Sequence, residues 1–176
     1  ISVNPSKILK VKRDVEEELE ELKILMLQEV GRPDFNFNSW KQLNDYFFNI
    51  LKLKPKGRPT STGKPSLKGE NLALYAEEGL VFAQHLSRYK TLTKRLTTYI
   101  NGYFIRDRTL DDRIHCNFKQ HGAVTGRLSS DKPNLQNIPG LIEYREIFEA
   151  DEGYTLGCFD YSQLEFRVAA QLSGDE

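Results

Sequence analysis

Gly157-Cys-Phe-Asp-Tyr-Ser-Gln-Leu-Glu-Phe-Arg-Val168 is the stretch whose reading decides the fold. Tyr154 to Phe159 is rich in residues that suit a strand. Asp160 breaks the apolar run, and Ser162 to Leu172 takes up helical spacing, with Leu164, Val168 and Leu172 at intervals of four. A carboxylate at the end of a buried strand is costly to desolvate unless a cation meets it, and a hard divalent ion such as Mg²⁺ is a common solution. Asp160 is therefore a candidate metal ligand. The same position equally suits a helix N-cap, whose carboxylate accepts from backbone N–H groups one turn on. This stretch by itself leaves both readings open.

Two longer strings carry a resemblance. Asp160-Tyr-Ser-Gln-Leu-Glu-Phe-Arg167, followed by Leu172-Ser-Gly-Asp-Glu176, resembles motif A of the family A DNA polymerases, the bacterial DNA polymerase I type. The usual form there is DYSQIELR, and only Leu164 and Phe166 depart from it, apolar for apolar. Thr125-Gly-Arg-Leu-Ser-Ser-Asp-Lys-Pro-Asn-Leu-Gln-Asn-Ile-Pro139 is similar to the TGRLSS…PNLQNIP signature of the same family. The resemblance implies an α+β chain, with a helical thumb-like region over residues 1–103 and, over 104–176, the start of a palm-like antiparallel sheet with a helix. It implies a DNA-directed DNA polymerase that joins a dNTP to a primer 3′-OH on primer-template DNA, using two Mg²⁺ ions.

On that resemblance Asp160 bridges both metals and the Tyr161 backbone carbonyl is a further ligand. Gln163 and Glu165 surround the incoming nucleotide, with Glu165 crowding the sugar 2′ position. Arg167, one turn beyond Gln163, supports the site by a salt link; the plainer reading of Glu165 and Arg167 is a surface ion pair. Arg127 reaches the primer-template near the primer end, where a guanidinium can fork onto minor-groove acceptors that all base pairs present. Asn134, Gln136 and Asn137 line the duplex.

Further upstream, Leu67 to Ile100 reads as helical with a break at Gly79, and Leu80, Phe82, Ala83, Leu86, Tyr89, Leu92, Leu96, Tyr99 and Ile100 mark its packed side. The segment YKTLTKRLTTYI resembles the family's thumb helix along the primer-template, close to YRELTKLKSTYI. Lys94 is matched there, while a second lysine is replaced by Leu96. Lys54 to Ser66, rich in Gly, Pro and hydroxyl residues, is an extended loop. As a thumb tip, it would bring Lys56, Arg58 and Lys64 to duplex phosphates; as a bland feature, it is a surface connection.

At the start of the chain, Asn4-Pro5 is an N-cap followed by a first-turn proline. Ile8, Val11, Val15, Leu19, Leu22, Met26 and Val30 then describe a long amphipathic helix that ends at Gly31 and Pro33, with Glu16, Glu17 and Glu18 on its solvated face. Ser39 with Gln42 is a capping box that opens a helix running to about Leu51, with Phe35 and Phe37 packing before it. After Tyr103 the texture changes to short β-like runs around Arg113–Gln120 and Tyr154–Asp160.

Charge and composition agree with a nucleic-acid partner. The chain has 176 residues, 39% of them hydrophobic, and no net charge. Residues 54–132, however, carry 15 basic and 7 acidic side chains, and residues 133–176 carry 2 and 9. One part suits a polyanion, the other metal cations; the plainer reading of such charge runs is a solvated face. The absence of a membrane-length apolar run or signal-peptide pattern predicts a soluble, cytoplasmic protein, nucleoid-associated or in a host cytoplasm if of phage origin, and the expected state is a monomer. His121-Gly-Ala-Val-Thr and Pro139-Gly140 are closer to phage or viral members. His85, His115 and His121 have no metal-ligand spacing, and Cys116 and Cys158 are expected to be free buried thiols.

The resemblance spans the whole chain but only part of a polymerase. The triphosphate-gripping fingers, motif C with a second metal-binding aspartate, and a proofreading domain have no counterpart here, so an internal fragment that does not polymerise alone is expected. The competing readings are a non-catalytic DNA-binding module and the palm of a phage-type RNA polymerase; Glu165 and the TGRLSS string argue against the latter.

Overall fold

The computed structural model describes residues 1–174; Asp175 and Glu176, at the end of the motif A string, lie outside the described residues. The elements in chain order are β1 (Ser2–Val3), α1 (Pro5–Val30), α2 (Trp40–Asn44), α3 (Gly69–Glu77), α4 (Val81–Lys94), β2 (Asn117–Lys119), β3 (Ser129–Asp131), α5 (Ile142–Arg145), β4 (Phe148–Glu149) and α6 (Leu164–Ser173). The α+β class expected from the sequence is the one observed.

Helix α1 is the spine, and local chemistry sets both its ends. The Asn4 side chain accepts from the Lys7 N–H at 3.1 Å, Pro5 occupies the first turn, and Gly31, at φ 69°, takes the left-handed conformation and donates its N–H to the Leu27 carbonyl. The apolar stripe is shared between two cores. Ile8, Val11, Val15 and Leu22 pack with Leu92, Tyr99, Ile100, Phe104, Ile114, Tyr144 and Ile147. Met26, nearer the far end, joins Phe35, Phe37, Leu43, Tyr46, Phe47, Leu67, Leu72, Tyr75, Phe82, Ala83 and Leu86. The second core is largely aromatic, with Tyr46 edge-on to Phe82 at 4.8 Å and Phe47 edge-on to Tyr75 at 5.4 Å between centroids. Such pairs add roughly 0.5–1.5 kcal/mol each beyond area burial. Residues on both sides of position 104 belong to the first core, so the change from helices to short strands occurs without a gap in packing.

Glu16 and Glu17 are exposed as expected, but Glu18 is engaged. Arg88 of α4 donates from Nε and Nη2 to its two carboxylate oxygens at 2.5 and 2.7 Å, clamping α4 to α1. That hydrogen bond, opposed in part by burial, holds the Glu18 carboxyl below its ordinary pKa. Ser39 caps α2 by accepting from the Gln42 N–H, whereas the Gln42 side chain accepts from the Asn36 N–H at 2.7 Å and does not reach back to Ser39. Helices α2 and α4 run on as π-helical segments, Asp45–Ile50 and Arg95–Arg106, with bonds such as the Leu51 N–H to the Tyr46 carbonyl.

The β structure consists of two small antiparallel pairs. Strand β1 pairs with β4, Val3 opposite Phe148, and β2 pairs with β3, Phe118 opposite Ser130. The expected strand at 154–160 does not form. An extended segment becomes a strand only where a neighbour supplies partners for its N–H and C=O groups, and no described strand pairs with it. Asp160 is consequently exposed instead of closing a buried strand. The thiols are free, as expected, but Cys116 is only half-buried and Cys158, in this uncovered segment, is exposed.

Candidate active site and nucleic-acid interface

The turn after Asp160 brings several predicted residues together. An open cavity of about 500 Å³ is lined by Arg127, Asp160, Tyr161, Gln163, Leu164 and Glu165. Asp160 and Tyr161 also line a neighbouring one with Cys158 and Phe159. Helix α6 starts abruptly because Gln163 sits at φ 53°, ψ 41° with no side-chain cap. A left-handed non-glycine residue costs on the order of 1–3 kcal/mol, and such residues cluster at functional sites. Glu165 then falls in the first turn of α6, where the helix dipole favours an anion.

Glu165 does not pair with Arg167. Its carboxylate accepts from Arg127 Nη2 at 2.6 Å, linking the two signature strings across 38 residues of chain. Arg167 donates from Nε to the Ser162 carbonyl at 2.9 Å, bracing the turn through backbone. The salt link expected for Arg167 is thus replaced by a bond to a carbonyl that the left-handed turn leaves accessible. Both members of the Arg127–Glu165 pair are about three-quarters or more exposed, at 75% and 80%, so its net contribution to stability is small.

The 128–139 loop is held by its own amides. Gln136 accepts from the Ser130 N–H at 3.2 Å and donates to the Leu128 carbonyl at 3.1 Å. Asn134 accepts from Ser130 Oγ at 3.0 Å and caps a short 3₁₀ turn at the Gln136 N–H. These two side chains fix the shape of the loop, and Gln136 and Asn137 are both exposed.

On the helical arm the predicted cations divide into free and engaged. Lys94, at the end of α4, is exposed and makes no ion pair among the described residues. Arg58 and Lys64 are also exposed, the Lys64 ammonium lying 5.6 Å from the Trp40 ring centroid. Lys56 differs: it pairs with Glu78 and lies 5.2 Å from the Tyr75 ring centroid. The 54–66 loop is not loose. Tyr75 Oη accepts from the Lys56 N–H at 3.0 Å and donates to the Lys54 carbonyl at 2.9 Å. The buried Asn71 amide meets both the N–H and the carbonyl of Arg58. Gly57, at φ 68°, passes so close to Asn71 that any Cβ would collide with its amide. Sequence reasoning missed Asn71 and Tyr75. An asparagine beside Leu72 in a helix that must cover the loop was the available signal.

Among the described residues no three His, Cys, Asp or Glu side chains gather to hold a metal ion. No helix among them is long and apolar enough to cross a membrane. What the chain presents is an arm with exposed lysines and a loop–helix junction with an exposed carboxylate. The model of DNA polymerase family A matches residues 6–176, and the chain belongs to that family. It is 41% identical over 170 residues to DNA polymerase I, thermostable, of Thermus filiformis, covering 93% of this chain and 20% of that protein. It is 42% identical over 158 residues to DNA polymerase I of Chloroflexus aurantiacus, covering 85% and 16%. Among solved structures, the POL domain of Pol1 from M. smegmatis, in complex with DNA primer-template and dNTP, superposes with a TM-score of 0.83 at 33% identity, over 99% of this chain and 31% of that one. The chain therefore spans about a fifth of the length of these bacterial polymerases. The RNA polymerase reading is set aside.

Proposed function

We propose that this chain serves as the thumb (1–103) and the first part of the palm (104–176) of a template-directed DNA polymerase, which joins dNTPs to a primer 3′-OH. The observation that carries the reading is the convergence of Asp160, Gln163, Glu165 and Arg127 on one cavity, although the two strings are far apart in the chain. Asp160 and the Tyr161 carbonyl offer oxygen ligands of the kind Mg²⁺ takes. That ion binds through one or two carboxylates plus substrate phosphates and water, so this partial donor set fits it. When bound, Mg²⁺ ions activate the primer hydroxyl and neutralise charge on the triphosphate.

The chain's own residues orient and select. Gln163 and Glu165 border the nucleotide, Glu165 crowds the sugar 2′ position, and Arg127 leaves its carboxylate partner to reach the primer end. Asn137 lies along the duplex, Asn134 and Gln136 keep that loop in shape, and Arg167 stiffens the turn. Lys94, Arg58 and Lys64 meet phosphates of primer-template DNA. The protein works as a monomer in the cytoplasm, on nucleoid or phage DNA.

In the full-length polymerase, Asp160→Ala should abolish primer extension while leaving primer-template affinity within about twofold, since the lost group serves metal and not duplex. Normal turnover in this variant, measured by gel extension assay, would remove Asp160 from the site.

A further inference from the structure

We propose that Trp40 is a stacking platform for a single-stranded stretch of nucleic acid, separate from the duplex contacts of Lys94 and Arg127; the proposal rests on the polymerase reading above. Trp40 opens α2 and is 48% exposed, while the aromatic rings beside it in the chain, Phe35 and Phe37, are buried. It lines two adjoining cavities, of about 640 and 320 Å³. The smaller has an apolar floor of Phe37, Leu43 and Leu67 and carries Lys68 and Lys90, with no carboxylate in its lining. Lys64 adds a third ammonium, lying over one face of the Trp40 ring at 5.6 Å from its centroid, so a base stacks on the other face or displaces it.

Lys90 is an unusual residue for such a wall. Burial lowers its pKa, and it donates to a single backbone carbonyl, that of Leu67, at 3.0 Å. An ammonium so placed keeps further N–H donors for an anionic oxygen. An exposed indole flanked by lysines is the combination that binds single strands, in which a base stacks on the ring and its phosphates meet the cations. Duplex DNA keeps its bases stacked on one another and offers no π-face along its length. An acidic peptide offers carboxylates to the lysines but no planar base to stack on the indole.

Trp40 is the chain's one tryptophan, so its emission reports directly on this site. The chain is titrated with a thymidine oligomer of about 12 nucleotides, within the usual span of single-strand sites, with an abasic oligomer carrying the same number of phosphates, and with blunt duplex. The thymidine oligomer should quench the emission strongly and the abasic one weakly. The variants keep no tryptophan, so their affinity is read from the anisotropy of a labelled thymidine oligomer: Trp40→Ala should weaken binding about tenfold, equivalent to about 1.4 kcal/mol, and Trp40→Phe should retain most of the affinity. Equal quenching by the abasic oligomer, or unchanged affinity in Trp40→Ala, would overturn the platform. The duplex arm is read separately through Lys94→Ala: failure there counts against the polymerase interface, and failure of the thymidine arm counts against the platform.

Discussion

The division of the arm's lysines into free and engaged can be tested by salt. Lys94 is exposed and makes no ion pair among the described residues, so any phosphate it meets releases its full counterion, whereas the Lys56 ammonium is already committed to Glu78 and the Tyr75 ring. Each neutralised phosphate adds roughly 0.9 to the slope of log affinity against log salt. Between about 50 and 200 mM salt, one such contact changes affinity by roughly 3.5-fold. Lys94→Ala should therefore lose about 3.5-fold less affinity for blunt duplex over that range than the parent chain. Lys56→Ala should leave the slope unchanged. The assay is anisotropy of a labelled duplex at four or more salt concentrations, repeated on a second sequence, because a phosphate contact weakens binding equally on both. Equal slope changes in the two variants would refute the argument that the Glu78 pair withholds Lys56. An unchanged slope in Lys94→Ala would remove the arm's main claim to DNA.

The Tyr144 hydroxyl is fully buried with no hydrogen-bond partner among the described residues, so Tyr144→Phe should stabilise the chain by about 1 kcal/mol at pH 7 in urea unfolding. Burial also pushes the Tyr144 pKa up to about 12. The unfolded phenol ionises first, so stability is complete below about pH 10 and falls as pH rises towards 12, a loss on the order of 2–3 kcal/mol that the Phe variant should escape. A destabilised variant with an unchanged pH profile would contradict both statements. In the full-length polymerase, Glu165→Ala should raise ribonucleotide incorporation by about tenfold or more, equivalent to about 1.4 kcal/mol, measured as the ratio of kcat/KM for the two sugars. Unchanged discrimination would put the sugar gate elsewhere.

Features set by local chemistry were legible in the sequence, and features set by distant partners were not. The cap at Asn4, the stripe from Ile8 to Met26 and the stop at Gly31 need only neighbours in the chain, and all are present. The π-helical continuations at 45–50 and 95–106 were not legible, because over such short runs residue spacing does not separate the wider π turn from an α-helix. Tyr154 to Phe159 has strand-like composition but no described partner strand, and composition cannot supply one. At the candidate site, the two signature strings brought Asp160, Gln163, Glu165 and Arg127 forward as candidates, and all four line one cavity. That Glu165 would choose Arg127 over Arg167, and that Lys56 would be taken by Glu78, depended on where the loops fold back.

Because α1 contributes side chains to both cores, neither core can reorient without it. At about 1.5 Å per residue its 26 residues make a rod roughly 39 Å long. A tilt of about 10° at Pro5 swings the Val30 end through about 7 Å, more than a helical turn. The aromatic core rides on that end and carries the 54–66 loop with it, held by Tyr75 and Asn71. Because Ile8 to Leu22 of the same rod are packed into the Tyr144 core, such a tilt would have to repack that core, and the core thereby fixes where the loop is held.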